Sequence, residues 1–375
     1  MKTKLITICA VAAMLTISGV AQAKIIIDTV PVGNPGNAGQ LSGTGAGGWG
    51  YDRICGSVSY DYNIGKYEVT AGQYTAFLNA VAKTDTYGLY NTEMGSSNYG
   101  CKIQQNGTSG DYSYTIAPDY ANRPVNFVSW ADAARFANWL HNGQPTGEQY
   151  LNTTEDGAYY LNGATTSDQF MAVNRESDWK WAIASEDEWY KAAYYDPNKT
   201  GGAGYWSYPT QSDTAPSNLL GIPTDPGNHA TYWTYETSFT SPYLRTEVGD
   251  HENSRSAYGT FDQGGNVWEW NETRITDYGN TLYGQRGGSY ADSDGYLRSS
   301  FRGAGDPSSE WDGVGFRVVS VAAGPHCPSA DLSGDCFVDL DDLSLLASLW
   351  LVSYDDSDMA AMISQWLTGG TSADL

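Results

Sequence analysis

The stretch Asp262-Gln263-Gly264-Gly265-Asn266-Val267-Trp268-Glu269-Trp270 decides how this chain is read, because glycines that permit tight turns alternate with indoles that bury large area. The same habit recurs in Arg286-Gly287-Gly288-Ser289-Tyr290 and Gly315-Phe316-Arg317. It extends to the whole composition, with 43 glycines, 28 tyrosines and 13 tryptophans in 375 residues. Long apolar runs are few between residues 60 and 321, so short strands joined by long ordered loops are expected. Tyrosine and tryptophan suit such loops, since their rings bury area while their polar tips bond to loop backbone.

Working outward, three segments carry helical periodicity. Thr70 and Gln73 stand as an N-cap and its N3 partner before Tyr74, Phe77, Leu78 and Val81. Ser129 precedes a helix with Ala133, Phe136, Ala137 and Leu140 on one face and Gly143 as its stop. Ser185 with Glu188 opens a third, which ends before Asp196-Pro197. Ile25-Ile26-Ile27 is a strand candidate, and the glycine-rich run 33–50 reads as surface coil.

Lys2 and Lys4 precede an apolar run from Leu5 to Val20 and the small-residue site Ala21-Gln22-Ala23. This is the pattern of a cleaved secretory signal over 1–23, and the run is shorter than the roughly 20 apolar residues a membrane span needs. The domain expectation is therefore signal 1–23, glycine-rich segment 24–59, main domain 60–321, linker 322–326 and tail 327–375. The product is expected outside the cytoplasm, secreted, periplasmic or at the cell surface, with no membrane span after cleavage. There Cys55, Cys101, Cys327 and Cys336 are disulfide candidates, most economically Cys55 with Cys101 and Cys327 with Cys336, although four cysteines allow three pairings. A formal charge of −23 argues against nucleic acid or an anionic membrane as partner and favours cations.

Four phrases in order resemble the formylglycine-generating enzymes, or sulfatase-modifying factors. They are Ile64-Gly65-Lys66-Tyr67-Glu68-Val69-Thr70; Arg123-Pro124-Val125-Asn126-Phe127-Val128-Ser129-Trp130; Ala184-Ser185-Glu186-Asp187-Glu188-Trp189; and the glycine-aromatic series quoted first. The resemblance implies an α+β fold of C-type-lectin-like topology with little regular secondary structure. It also implies structural calcium at Asp262, Gly265, Val267 and Glu269, which two carboxylates and two carbonyls freed by glycine could supply. Ser289 matches a serine near the family's active site, and Ser289 and Trp268 are expected to line a pocket.

The same resemblance places the family's two copper-binding cysteines at Asp292 and Leu297. Cu(I) is a soft ion that needs thiolate or thioether ligands, so copper is not expected here and no catalytic residue is assigned. His141, His229 and His251 lie far apart in sequence and are read as surface or satisfied core groups. Arg286, Arg298, Arg302 and Arg317 suit either a sulfated or carboxylated ligand or pairing with Asp292, Asp294, Asp306 and Asp312, the second being favoured.

In the tail, Asp331, Ser333, Asp335, Asp339 and Asp342 hold positions 1, 3, 5, 9 and 12 of a twelve-residue loop, with Phe337 placed to give its carbonyl. This is EF-hand chemistry and resembles one repeat of a dockerin. Cys336 stands where glycine is usual, and a second repeat, Asp358 to Leu367, keeps its helix but not its loop. The resemblance implies a small helical calcium-loop tail that docks on a cohesin-like or other extracellular scaffold, or on the main domain itself. The functional expectation is an exported, calcium-binding, non-catalytic module of sulfatase-modifying-factor type. Formylglycine generation or another metal-dependent oxidation, and lectin-like glycan binding, are its alternatives.

Overall fold

The computed structural model describes residues 24–218, 227–234, 244–277 and 280–321. The expected signal 1–23 and the tail, with Cys327, Asp331, Ser333, Asp335, Cys336, Phe337 and Asp342, lie outside the described residues. Within them the fold is α+β with little regular structure, as the composition implies. No helix among the described residues is long and apolar enough to cross a membrane.

Two four-stranded sheets frame the chain. The first runs Thr29–Val32, Tyr62–Gly65, Val318–Val321, Trp181–Ile183 in spatial order, every pair antiparallel. The second runs Gly303–Gly305, Asn280–Arg286, Trp268–Asp277, Val314–Phe316, and its last pair is parallel. Arg317 is the single residue between the end of one sheet and the start of the other in sequence.

The helices Ala71–Val81, Trp130–His141 and Glu186–Tyr194 each begin on a capping box, made by Thr70 with Gln73, Ser129 with Asp132 and Ser185 with Glu188. Each box satisfies two backbone groups that a helix start leaves without partners. The second helix is buried all round from Trp130 to Leu140, beyond the one stripe that periodicity suggests. Phe77 and Phe136 meet edge to face at 5.3 Å, Phe136 meets Phe316 at the same distance, and Trp130 stacks on Tyr283 at 4.1 Å. These aromatic pairs join the first two helices to the second sheet.

Two expectations for the N-terminal segment are corrected. Ile25-Ile26-Ile27 is not a strand: Gln144 bonds both Ile25 N–H and Ile25 C=O, and Gln73 bonds Ile26 C=O, so side chains take the backbone groups a sheet would have used. The glycine-rich run is more than coil, since Gln40–Ser42 pairs with Arg53–Cys55 and Trp49 bridges to Phe301.

Burial of charge pins these loops. Glu186, 1% exposed, receives Arg286 (Nη2 to Oε1, 2.7 Å), both Arg302 contacts (2.7 Å each) and Arg53 at 3.4 Å. Burial alone would raise its carboxyl, but the Arg286, Arg302 and Arg53 guanidiniums outweigh that and hold it down at about 2, against an ordinary 4.5. A depressed carboxylate stabilises the fold above its ordinary range and loses that contribution as pH falls from about 4.5 toward 2. Acid denaturation followed by circular dichroism should therefore show a stability loss of about 3 kcal/mol across this window. Glu186→Gln should flatten it and be destabilised by a similar amount at neutral pH.

Candidate functional site

The loop entering the Trp268–Asp277 strand carries three left-handed residues, Asp262 (φ 59°), Gly265 (φ 84°) and Asn266 (φ 61°). At Gly265 a side chain would come within 2.2 Å of the Thr231 carbonyl, so glycine is required. Asn266 is fixed on every side: its amide group donates to Glu68 Oε2 and accepts from Thr246 N–H, its own N–H donates to Thr231, and its carbonyl accepts from Tyr290. The bent loop is thus pinned from four directions.

Glu269 leaves this loop wholly buried. Arg317 donates Nε to Oε2 at 2.5 Å and Nη2 to Oε1 at 2.6 Å, and Trp189 Nε1 donates to Oε2 at 2.6 Å. Asp262 Oδ2 accepts from Gly249 N–H at 2.6 Å. Beside them, burial, with Asp262 and Glu269 adding like charge, pushes the Glu68 carboxyl well above its usual range, and burial likewise raises Asp262. Three buried acids thus face one guanidinium, Arg317. Of the four residues expected to hold calcium, Glu269 has both oxygens taken by Arg317 and Trp189, and Asp262 Oδ2 is held by Gly249 N–H.

The loop that follows holds the two positions where the resemblance puts copper thiols. Asp292 Oδ2 accepts from Ser289 Oγ (2.5 Å), Ser289 N–H (3.0 Å) and Trp268 Nε1 (2.9 Å). Leu297 is fully buried in an apolar cluster with Tyr208, Ala230 and Tyr232. Neither supplies a soft ligand, and Ser289, 2% exposed, serves to anchor Asp292 and the turn.

Trp268 instead opens on the far side of this turn. It lines a groove of about 320 Å³ together with Trp49, Tyr51, Phe301 and Arg302. Its indole packs against Phe301 at 5.8 Å and Tyr296 at 6.0 Å. Sequence alone offers one signal for Trp49, an indole in a run of small residues, 44–50.

Of the expected cysteine pairs, only Cys55 with Cys101 falls within the described residues. Both are buried free thiols, so that pair does not form. Cys55 sulfur accepts from Arg286 and Arg53, whereas Cys101 lies by Arg245, in separate parts of the core. The arginines also choose other partners. Arg286 and Arg302 bind Glu186, Arg317 binds Glu269, and Arg298 donates to Tyr208 Oη, which in turn donates to Asp294. Asp306 and Asp312 accept from serine and tyrosine hydroxyls.

The fold brings together two histidines that sequence separation did not. His229 and His251 rings lie 6.1 Å apart and line a small cavity with Asp262, and His251 Nε2 meets Thr231 Oγ1 at 3.1 Å. His141 stands apart, accepting from Lys180 N–H. Among the described residues, no three histidine, cysteine or acidic groups converge closely enough to hold a metal.

Because Asp292 is the common acceptor of three donors, Asp292→Ala should cost about 2 kcal/mol in urea denaturation. It should also shift the tryptophan emission, as Trp268 Nε1 loses its partner. Asp292→Asn should recover part of both.

Residues 57–322 match the FGE-sulfatase family, described as a sulfatase-modifying factor enzyme 1-like domain. Among solved structures the chain is similar to CarF, at 22% identity and a TM-score of 0.49, over 79% of this chain and 98% of that one. It is also similar to variable protein 1 of Treponema denticola, at 18% identity and a TM-score of 0.44, over 78% of this chain and 94% of that one. PvdO from Pseudomonas aeruginosa gives 19% identity and 0.44 over the same shares, 78% and 94%. No curated protein matches the chain. The family match spans most of the sequence, and the chain belongs to the FGE-sulfatase family of sulfatase-modifying factor enzyme 1-like domains.

Proposed function

We propose that this chain is an exported, calcium-stabilised binding module that has kept the sulfatase-modifying-factor fold without the copper oxidase chemistry. The observation that carries the reading is the pair Asp292 and Leu297. The first is a carboxylate fixed by three donors and the second is a leucine in an apolar cluster, where the oxidase would need two thiolates. The signal-like start, Lys2 to Ala23, supports export, and the loop Asp331 to Asp342 supports a dockerin-like attachment to an extracellular scaffold.

The decisive assay incubates the purified mature protein, with Cu(I), with a cysteine-containing sulfatase peptide and reads the peptide mass. No aldehyde product is expected; conversion of the cysteine would end the non-catalytic reading. The juxtaposition of His229 and His251 is the observation that favours the second reading, an oxidation run on a different metal. Metal analysis of the purified chain decides it, with calcium alone expected.

Calcium itself is supported by the three acids facing Arg317 and by the tail loop. Its removal by chelation should lower the melting temperature by several degrees, by the linkage that any ligand of the folded state obeys. A chain ended at Val321 should hold less calcium than the full chain yet keep part of this dependence.

A further inference from the structure

We infer that the groove between Trp49 and Trp268 is a binding site for a neutral saccharide chain, an inference that rests on reading the protein as a binder and names its ligand class. The groove is lined by two indoles, the Tyr51 phenol and the Phe301 ring, and also by Gln285 and Arg302. Trp49 is 68% exposed and Tyr51 54%, so their ring faces are open to a ligand.

The aromatic walls are held in place by backbone and not by each other alone. Trp49 C=O accepts from Arg302 N–H at 3.0 Å, and Gly50 follows in a left-handed turn that no side chain would tolerate, because an added Cβ would lie 2.7 Å from the Arg302 carbonyl. Trp268 lies over Gly303, where a Cβ would approach the ring to 2.9 Å, and its Nε1 is tied to Asp292. A fixed backbone at Trp49 and a tethered Trp268 ring reduce the freedom lost when a ligand stacks there.

The polar groups then choose among ligands. Arg302 is already engaged: Nε and Nη2 are bound to Glu186, and Nη1 donates to the Tyr51 carbonyl at 2.5 Å, so three of its five N–H groups and its charge are committed to the core. Among the described residues that line the groove the one cation, Arg302, is paired with Glu186, and the chain carries a charge of −23, so sulfated or carboxylated ligands are disfavoured. The Gln285 carboxamide, in contrast, has no hydrogen-bond partner among the described residues. Its Nε2 lies over Gly305, where a Cβ would come within 2.8 Å. A planar donor and acceptor between aromatic faces matches the paired hydroxyls and apolar C–H face of an uncharged pyranose.

Isothermal titration of the full mature chain with cellohexaose, xylohexaose, mannohexaose and chitohexaose, beside a heparin hexasaccharide, tests this. At least one neutral series should bind. Trp49→Ala should weaken that binding about tenfold or more, which is a change of one decade in Kd, and Gln285→Ala should weaken it several-fold. Trp311→Ala, an exposed indole outside the groove, should leave it unchanged. Absence of any neutral ligand, binding that survives Trp49→Ala, or preference for the heparin fragment overturns the inference; the last would still leave the chain a binder. Aldehyde formation in the peptide assay is the separate result that removes the binder reading itself.

Discussion

Glu186 is the carboxylate on which three distant parts of the chain depend. Arg53 comes from the N-terminal hairpin, Arg286 from the end of a central strand, and Arg302 from the segment leading into an edge strand. A fold with so few regular elements cannot rely on ladder hydrogen bonds, so buried side chains must fix where its loops lie. The arrangement is demanding, because removing one member leaves the others charged in a dry interior. It also has a positional effect. Arg302 is bound to Glu186 at one end of its guanidinium and to the Tyr51 carbonyl at the other, so the wall of the groove is tied to the core through one ion cluster.

Arg317 and Glu269 make the second such tie, at the junction of the two sheets. Arg317 also donates to the carbonyls of Gly65 and Phe261, and therefore clasps the first sheet, the loop before Asp262 and the strand that begins at Trp268. The two ties leave opposite balances: guanidiniums are in excess around Glu186, and acids are in excess around Arg317.

What could be read from the residues was what is decided locally. Thr70 with Gln73 and Ser185 with Glu188 are three apart, and a capping box needs nothing beyond that spacing and a helix to follow. Asp292 and Leu297 could be judged in the same way, since the chemistry of a soft ion rules on side-chain type without coordinates. The failures all involve long-range choice. Arg286 has Asp292 and Asp294 near it in sequence, yet its partner is Glu186, 100 residues away. Ile25 to Ile27 have the composition of a strand, but Gln144, 119 residues on, takes the backbone of Ile25. His229 and His251 become neighbours only after the loop around Asp262 has folded. Trp49, in a glycine run, gains meaning only when its neighbour proves to be Phe301.

Cys55 and Cys101 lie unpaired and buried in separate regions of the core, so in any oxidising medium the fold is what keeps them from reacting. Once the chain opens, those thiols become free to couple with each other or with Cys327 and Cys336, and the products cannot return to a core shaped for two separate sulfhydryls. Survival of the folded protein would then be governed by how seldom it opens and not by how readily it refolds. The Glu186 cluster, whose Arg286 and Arg53 contact the Cys55 sulfur, would act as a timer on its working life.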